Sequence, residues 1–277
     1  MRYLQLTADE RLPALGQGTW GMGERADRAA SEVAALRHGM DRGLGLIDTA
    51  EMYGGGGAEE IVGSAIAGRR DEAFLVSKVF PHNAGKREAI SACERSLERL
   101  GTDRIDLYLL HWRGTVPLEE TLEAFERLRS DGKIRHFGVS NLDAHDMAEL
   151  WSLPLGDQVV TDQVLYNLSR RGVEFDLLPR CRERGIPVMA YSPIEQGRLL
   201  GNATVRRVAE RHSVTPARVA LAWVLHQPGV CAIPKASDPD HVDDNVAALD
   251  LTLGADDLAE LDAEFPAPTA ATPLEIL

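Results

Sequence analysis

Along this chain, short apolar runs alternate with longer segments in which apolar residues recur every three or four positions. The runs are "LGQGTW", "LGLIDTA", "AFLVSKV", "IDLYLLH", "IRHFGVSN", "VVTDQVLYN", "PVMAYSPI" and "VCAIPKA". Near-continuous hydrophobicity over so few residues predicts parallel strands covered on both faces. The intervening segments predict helices. In the third of them Ala89, Ile90, Cys93, Leu97 and Leu100 form one face, and Gly101 ends it. Gly43, Gly132 and Gly185 stand at equivalent stops, and Pro216 in "HSVTP" divides the segment after the seventh run into two helices. Eight strand-helix units over roughly 250 residues predict an α/β fold, a (β/α)8 TIM barrel. "RYLQL" and "LPALG" around "TADER" predict an N-terminal β-hairpin, and "GADDLAELDAEF" an extra C-terminal helix outside the barrel.

An open doubly wound sheet is the competing arrangement. It would place a glycine-rich dinucleotide turn directly before a helix after the first strand, whereas the glycines of "LGQGTWGMGE" are not followed at once by a helix. No Pro- or Ser-rich linker divides residues 1–277, which are expected to form a single domain.

Charge and cysteine content narrow the function. A formal net charge of -13 argues against nucleic acid or an anionic membrane as partner. A phosphate-bearing ligand would need a local cation. No apolar run approaches the roughly 18 residues of a membrane span, and "MRYLQLTADERL" has no leader pattern. Cys93, Cys181 and Cys231 are too few and too scattered for a disulfide framework, so buried thiols in a reducing cytoplasm are expected.

Barrels of this kind carry their chemistry at the carboxyl ends of the strands. The polar residues there are Asp48, Ser77, Lys78, His111, Ser140, Asn141, Asp162, Gln163, Asn167, Tyr191, Ser192 and Lys235, with Tyr53 in the loop beyond Asp48. Asp48, Tyr53, Lys78 and His111 come from three neighbouring strands. Asp48 is the natural counter-ion for a buried Lys78. An ammonium beside Tyr53 would lower the phenol's pKa and make it a proton donor to a developing alkoxide. His111 could hydrogen-bond the same oxygen. "GGGG" after Tyr53 lacks the Lys-Ser/Thr of a phosphate loop and reads as a mobile tether that lets the tyrosine reach its partners. Taken singly, each residue has a plainer role: an ion pair, a loop aromatic, a buried histidine. No metal-ligand spacing is present, so no metal is expected.

At these residues the chain resembles the aldo-keto reductase superfamily. "LIDTAEMYG", "LVSKV", "DLYLLHW", "GKIRHFGVSN", "VLYN", "AYSP" and "IPKAS" look like its blocks, in order. "GQGTWGMGE" and "AFLVSKVFPHNAG" further resemble the bacterial subgroup that reduces methylglyoxal and similar aldehydes. The resemblance implies NADPH-dependent reduction of small aldehydes and ketones, with NADH a weaker alternative. It implies a catalytic tetrad of Tyr53 as general acid, Lys78 and Asp48 as its tuners, and His111 positioning the carbonyl. It also implies that Ser140, Asn141 and Gln163 bind the carboxamide and that Tyr191 stacks on the nicotinamide. Ser192 and Pro193, with Gly197 and Leu199 of "IEQGRL", would form a strap over the pyrophosphate. Lys235, Ala236 and Ser237 would meet the 2'-phosphate, with Asp244 and Asn245 near the adenine.

Two departures stand out. His241 occupies a position where many members have arginine, and imidazole offers no bidentate fork, so the NADPH preference should be weaker. The strap is short, which predicts faster cofactor release. The brief "WRGTVPLEE" loop and the brief tail "PAPTAATPLEIL" predict an open pocket, walled by Trp20, Met52 and Trp112, with Arg113 left to solvent. A monomer is expected. The rival readings are a non-catalytic cofactor-binding subunit and a lyase using Lys78 or Lys235 as a Schiff-base amine. Ser140 and Asn141 could alternatively cap the helix that follows them.

Overall fold

The structure, a computed structural model, describes residues 2–277. The hairpin pairs β1 (Tyr3–Gln5) with β2 (Arg11–Pro13), antiparallel. The barrel strands are β3 (Gln17–Gly18), β4 (Leu46–Asp48), β5 (Phe74–Val79), β6 (Ile105–Leu110), β7 (Ile134–Ser140), β8 (Val159–Leu165), β9 (Val188–Tyr191) and β10 (Val230–Ala232). They are all parallel and pair in chain order from β3 to β10. Backbone bonds from Gly16 N to Ala232 O (2.9 Å) and from Gly18 N to Pro234 O (3.0 Å) join the two ends and close the ring. The glycines of "LGQGTW" have a steric reason: a Cβ on Gly18 would lie 2.7 Å from the carbonyl oxygen of Ile233.

The surrounding helices are α1 (Ala29–Asp41), α2 (Gly57–Ile66), α3 (Glu88–Leu100), α4 (Leu118–Ser130), α5 (Ala144–Ser152), α6 (Leu177–Glu183), α7 (Ala203–His212), α8 (Pro216–His226) and α9 (Pro239–Ala247). The extra C-terminal helix is α10 (Ala255–Glu264). Gly43, Gly101, Gly132 and Gly185 all have positive φ just past a helix end, where any side chain would be strained. Ser213 at φ 54° ends α7, and Thr215 caps α8 with Pro216 in its first turn.

Strand alternation divides the core in two. Leu46, Val76, Leu107, Leu109, Met189, Cys231 and Ile233 fill the barrel interior, and Leu6 and Leu12 of the hairpin join them at the N-terminal end. The larger cluster fills the shell between strands and helices. Cys93, Cys181 and Cys231 are free and buried. Among the described residues no helix is long and apolar enough to cross a membrane.

Candidate active site

At the carboxyl ends of β4 and β5, Lys78 is fully buried beneath the barrel mouth. Its ammonium donates to both oxygens of Asp48 (2.9 and 2.8 Å), to the Thr49 carbonyl (2.8 Å) and to Tyr53 Oη (3.3 Å). Burial works against the charge on Lys78. The field and hydrogen bonds of Asp48, with help from Tyr53, outweigh it and hold the lysine's pKa above its ordinary value. Because Tyr53 Oη accepts from Lys78, its own proton is left for a partner in the cavity. His111 stands edge-on to Tyr53, ring centroids 5.7 Å apart. Burial, then the Lys78 charge, push His111 down to about 2, so its ring is neutral and retains one N–H to donate.

Two expectations are corrected here. The Tyr53 phenol lies above its ordinary pKa, because burial raises it and Asp48 adds to the rise, and the opposing Lys78 does not offset both. The glycine run is not a loose tether. Gly54, Gly55 and Gly56 take φ of 58°, 62° and 100°, a conformation that only glycine enters without strain. A Cβ on Gly54 would also meet the Met22 carbonyl at 3.0 Å. The run is a fixed turn that aims Tyr53 and opens into α2.

Alternation sorts the polar strand ends. Ser77 points outward and donates to Glu59 of α2 (2.6 Å), while its neighbour Lys78 points to the mouth. Likewise Gln163 reaches inward to donate to Asp48 Oδ1 (2.7 Å), whereas Asp162 is fully buried with no side-chain hydrogen-bond partner among the described residues. Ser140 donates to the Gln163 carbonyl (2.8 Å). Asn141, at φ 56°, donates to the His111 carbonyl (3.1 Å) and accepts from Tyr191 Oη (3.0 Å). Neither caps α5; Asp143 does, accepting from His145 N and Asp146 N at 2.8 Å each.

A cavity of about 690 Å³ opens over this cluster. Asp48, Tyr53, His111, Trp20, Met52 and Trp112 line one part of it. Ser140, Asn141, Gln163, Tyr191, Ser192, Pro193, Gly197 and Lys235 line another. Lys235 is exposed and donates to Ser237 Oγ (2.9 Å). The remaining candidates lie off the cavity wall. Leu199 packs in the core, Asn245 is buried in α9 and Ala236 is half-buried. His241 is exposed, and Asp244 is occupied by Arg218 (2.7 and 3.0 Å). Arg113, expected in solvent, is paired with Asp146 and Glu149.

The strap between β9 and α7 holds Ser192, Glu195 and Gln196 at positive φ (48°, 51° and 52°), each costing on the order of 1 kcal/mol. What holds it is Glu195, buried and accepting from Asn167 (2.7 Å), Arg198 (2.8 Å) and Arg170 (3.1 Å). Burial works against the Glu195 charge, but these bonds outweigh it and keep its pKa low. Arg170 also binds Glu275, and the tail beyond it places Ile276 and Leu277 on the cavity wall, Leu277 N lying 3.4 Å from Tyr191 Oη. The expectation that a brief tail leaves the pocket open is therefore corrected: the tail crosses the mouth. The apolar pair Ile276 and Leu277 after Glu275 was the available signal. Ile194 and Gln196 of the expected strap also line the cavity, as do Thr19, Ile233 and Pro234, which were not anticipated.

The model of the Aldo/keto reductase family matches residues 14–264. Methylglyoxal reductase YeaE of Escherichia coli (strain K12) is 54% identical over 281 residues, spanning 100% of this chain and 99% of that protein. Glyoxal reductase of Bacillus subtilis (strain 168) is 36% identical over 256 residues, 91% of this chain and 88% of that protein. An aldo/keto reductase from Klebsiella pneumoniae, crystallised in complex with NADP and acetate, superposes with a TM-score of 0.97 at 51% identity, covering 99% of both chains.

Proposed function

The chain belongs to the aldo/keto reductase family, and we propose that it uses NADPH to reduce small aldehydes and ketones of the methylglyoxal kind to alcohols. The observation that carries this reading is Lys78, saturated by Asp48 and Thr49 and hydrogen-bonded to a tyrosine that faces the cavity.

The donor set suits a nicotinamide dinucleotide. Gln163, Ser140 and Asn141 offer amide and hydroxyl groups at the cavity floor, Tyr191 offers a ring face, and Lys235 with Ser237 offers a cation and a hydroxyl for a phosphate. When bound, NADPH supplies the hydride. The protein's own residues do the rest. His111 donates a hydrogen bond that orients the carbonyl oxygen. Tyr53 gives its proton to that oxygen as negative charge develops on it. The ammonium of Lys78 stabilises the phenolate left behind, and Asp48 keeps that ammonium charged in a buried site. Trp20, Met52 and Trp112 form an apolar wall suited to a small substrate.

Schiff-base chemistry at Lys78 is disfavoured, because a protonated amine saturated by acceptors is not a nucleophile. We further propose one catalytic unit over residues 1–277, acting as a monomer in the cytoplasm; the free, buried thiols suit a reducing compartment. Tyr53→Phe should lower the rate of NADPH oxidation with methylglyoxal by about 10²–10⁴-fold, with NADPH affinity retained. Full activity in that variant overturns the role given to Tyr53.

A further inference from the structure

Arg170 stands between the two segments that close the cavity. Its Nε and Nη2 face the strap and donate to Glu195 Oε1 at 3.1 and 3.0 Å, while its Nη1 pairs with Glu275 of the tail. None of these three residues lines the cavity. A guanidinium is a rigid plane, so two donors held on Glu195 fix where the third one points. The tail depends on that donor. Beyond Phe265 no residue makes a backbone–backbone hydrogen bond among the described residues. Cavities of about 190 and about 610 Å³ flank residues 272–275, so packing holds this stretch weakly. Its anchors are Leu274 against the core, Glu275 on Arg170, and Leu277 N donating to Tyr191 Oη at 3.4 Å. The Glu195 side chain is 5% exposed, whereas those of Arg170 and Glu275 are 34% and 45% exposed. The strap side of the bridge is therefore the firm half, and the tail side is the half that opens.

We propose that Arg170 is a positioning residue that joins strap and tail into one closing unit. While the strap is closed, Glu195 aims the guanidinium at Glu275, and Glu275 draws Ile276 and Leu277 over the carbonyl substrate. The proposal rests on the NADPH reading above. It adds that cofactor and substrate tighten each other's binding through a side chain that lies outside the cavity. A strap that opens withdraws Glu195 from Arg170. The long side chain then regains its rotamers and must be ordered afresh before it can hold Glu275. Linkage makes the effect reciprocal: a tail that cannot seat leaves the strap less firmly closed over the dinucleotide. Asn167 is the fixed point of the arrangement. It donates to the Ser192 carbonyl (2.9 Å) and to Glu195 (2.7 Å), and its own carbonyl accepts from Arg170 N (3.0 Å), so strap and bridge are built on one turn.

The test is a mutant cycle read by dinucleotide affinity. Glu275→Gln removes one charge from a half-exposed side chain, so the variant should fold as the native protein does. Its affinity for NADP⁺, measured by quenching of tryptophan fluorescence with Trp20 and Trp112 on the cavity wall, should fall by about threefold, within the range of one exposed ion pair. In an Arg170→Ala background the same substitution should change nothing further, because the link is already cut. At saturating NADPH, Glu275→Gln should raise KM for methylglyoxal by about threefold with no loss of kcat. Added salt should raise KM for this uncharged substrate in the native protein and not in Glu275→Gln. An unchanged NADP⁺ affinity in Glu275→Gln overturns the coupling. So does a loss of equal size with and without Arg170, because the tail would then act on the dinucleotide directly. A native KM that ignores salt overturns the ion pair as the hold on the tail. A native protein that binds no NADP⁺ overturns the cofactor reading itself, and the coupling with it.

Discussion

Replacing Lys78 by methionine removes an ammonium that is fully buried and leaves its partner in place. Asp48 would keep only the Gln163 hydrogen bond, and the Thr49 carbonyl would lose its Lys78 donor. Breaking a buried pair in this way costs about 3–5 kcal/mol. At about 2–4 °C per kcal/mol for a chain of this size, the melting temperature should fall by about 6–20 °C. In the variant the orphaned carboxylate folds most readily when protonated, so its deficit should be larger at pH 8 than at pH 5. Removing the second charge as well, in Lys78→Met with Asp48→Asn, leaves an asparagine that can still accept from Gln163. The double variant should recover about 1–4 kcal/mol. Catalysis should not return, because Tyr53 has lost its cationic neighbour. Thermal unfolding at the two pH values, paired with NADPH oxidation, separates these effects. A double variant no more stable than the single, or one that regains activity with stability, refutes the reasoning.

Asp162→Asn should be stabilising near neutral pH. Burial pushes the Asp162 carboxyl well above its ordinary pKa, so the folded form holds a proton that the unfolded form releases, and stability falls as pH rises beyond the unfolded value near 3.9. The melting temperature of the variant should exceed the native one at pH 8, with the gain vanishing toward pH 4. Arg170→Ala releases Glu275 on the tail and removes one partner of Glu195 on the strap, which Arg198 and Asn167 still hold; NADP⁺ affinity should fall by about tenfold, read by fluorescence titration.

The fold was legible because its signals are local and periodic. Eight apolar runs, helix-ending glycines and the Pro216 restart each follow from backbone sterics and burial within a few residues. The convergence of Asp48, Lys78, Tyr53 and His111 was legible once the runs were placed in a ring. What escaped was whatever depends on direction or distance. Ser77 and Asp162 sit beside Lys78 and Gln163, but period-two alternation turns them to the helical shell. Flexibility was inferred for "GGGG" because glycine permits many conformations, whereas here it is present for one that other residues avoid. The sign of the Tyr53 shift depended on burial, which adjacency to a lysine does not reveal. The path of the tail over Tyr191 rests on a contact between residues 86 apart in sequence.

These displacements matter for how an acidic protein meets an anionic ligand. The ammonium of Lys78 is neutralised by Asp48, His111 is uncharged, and Arg113, Arg170 and Arg218 are each paired with acids. Of the described residues lining the cavity, Lys235 alone carries a positive charge. It is exposed, and Ser237 is its one hydrogen-bond partner among the described residues. The cation proposed to assist catalysis and the cation proposed to meet a phosphate are thus separated by environment. One is buried, so that its charge acts on the Tyr53 phenol across 3.3 Å of unscreened protein; the other stays in water, where it can exchange a serine hydroxyl for a phosphate oxygen without leaving a buried group unpaired.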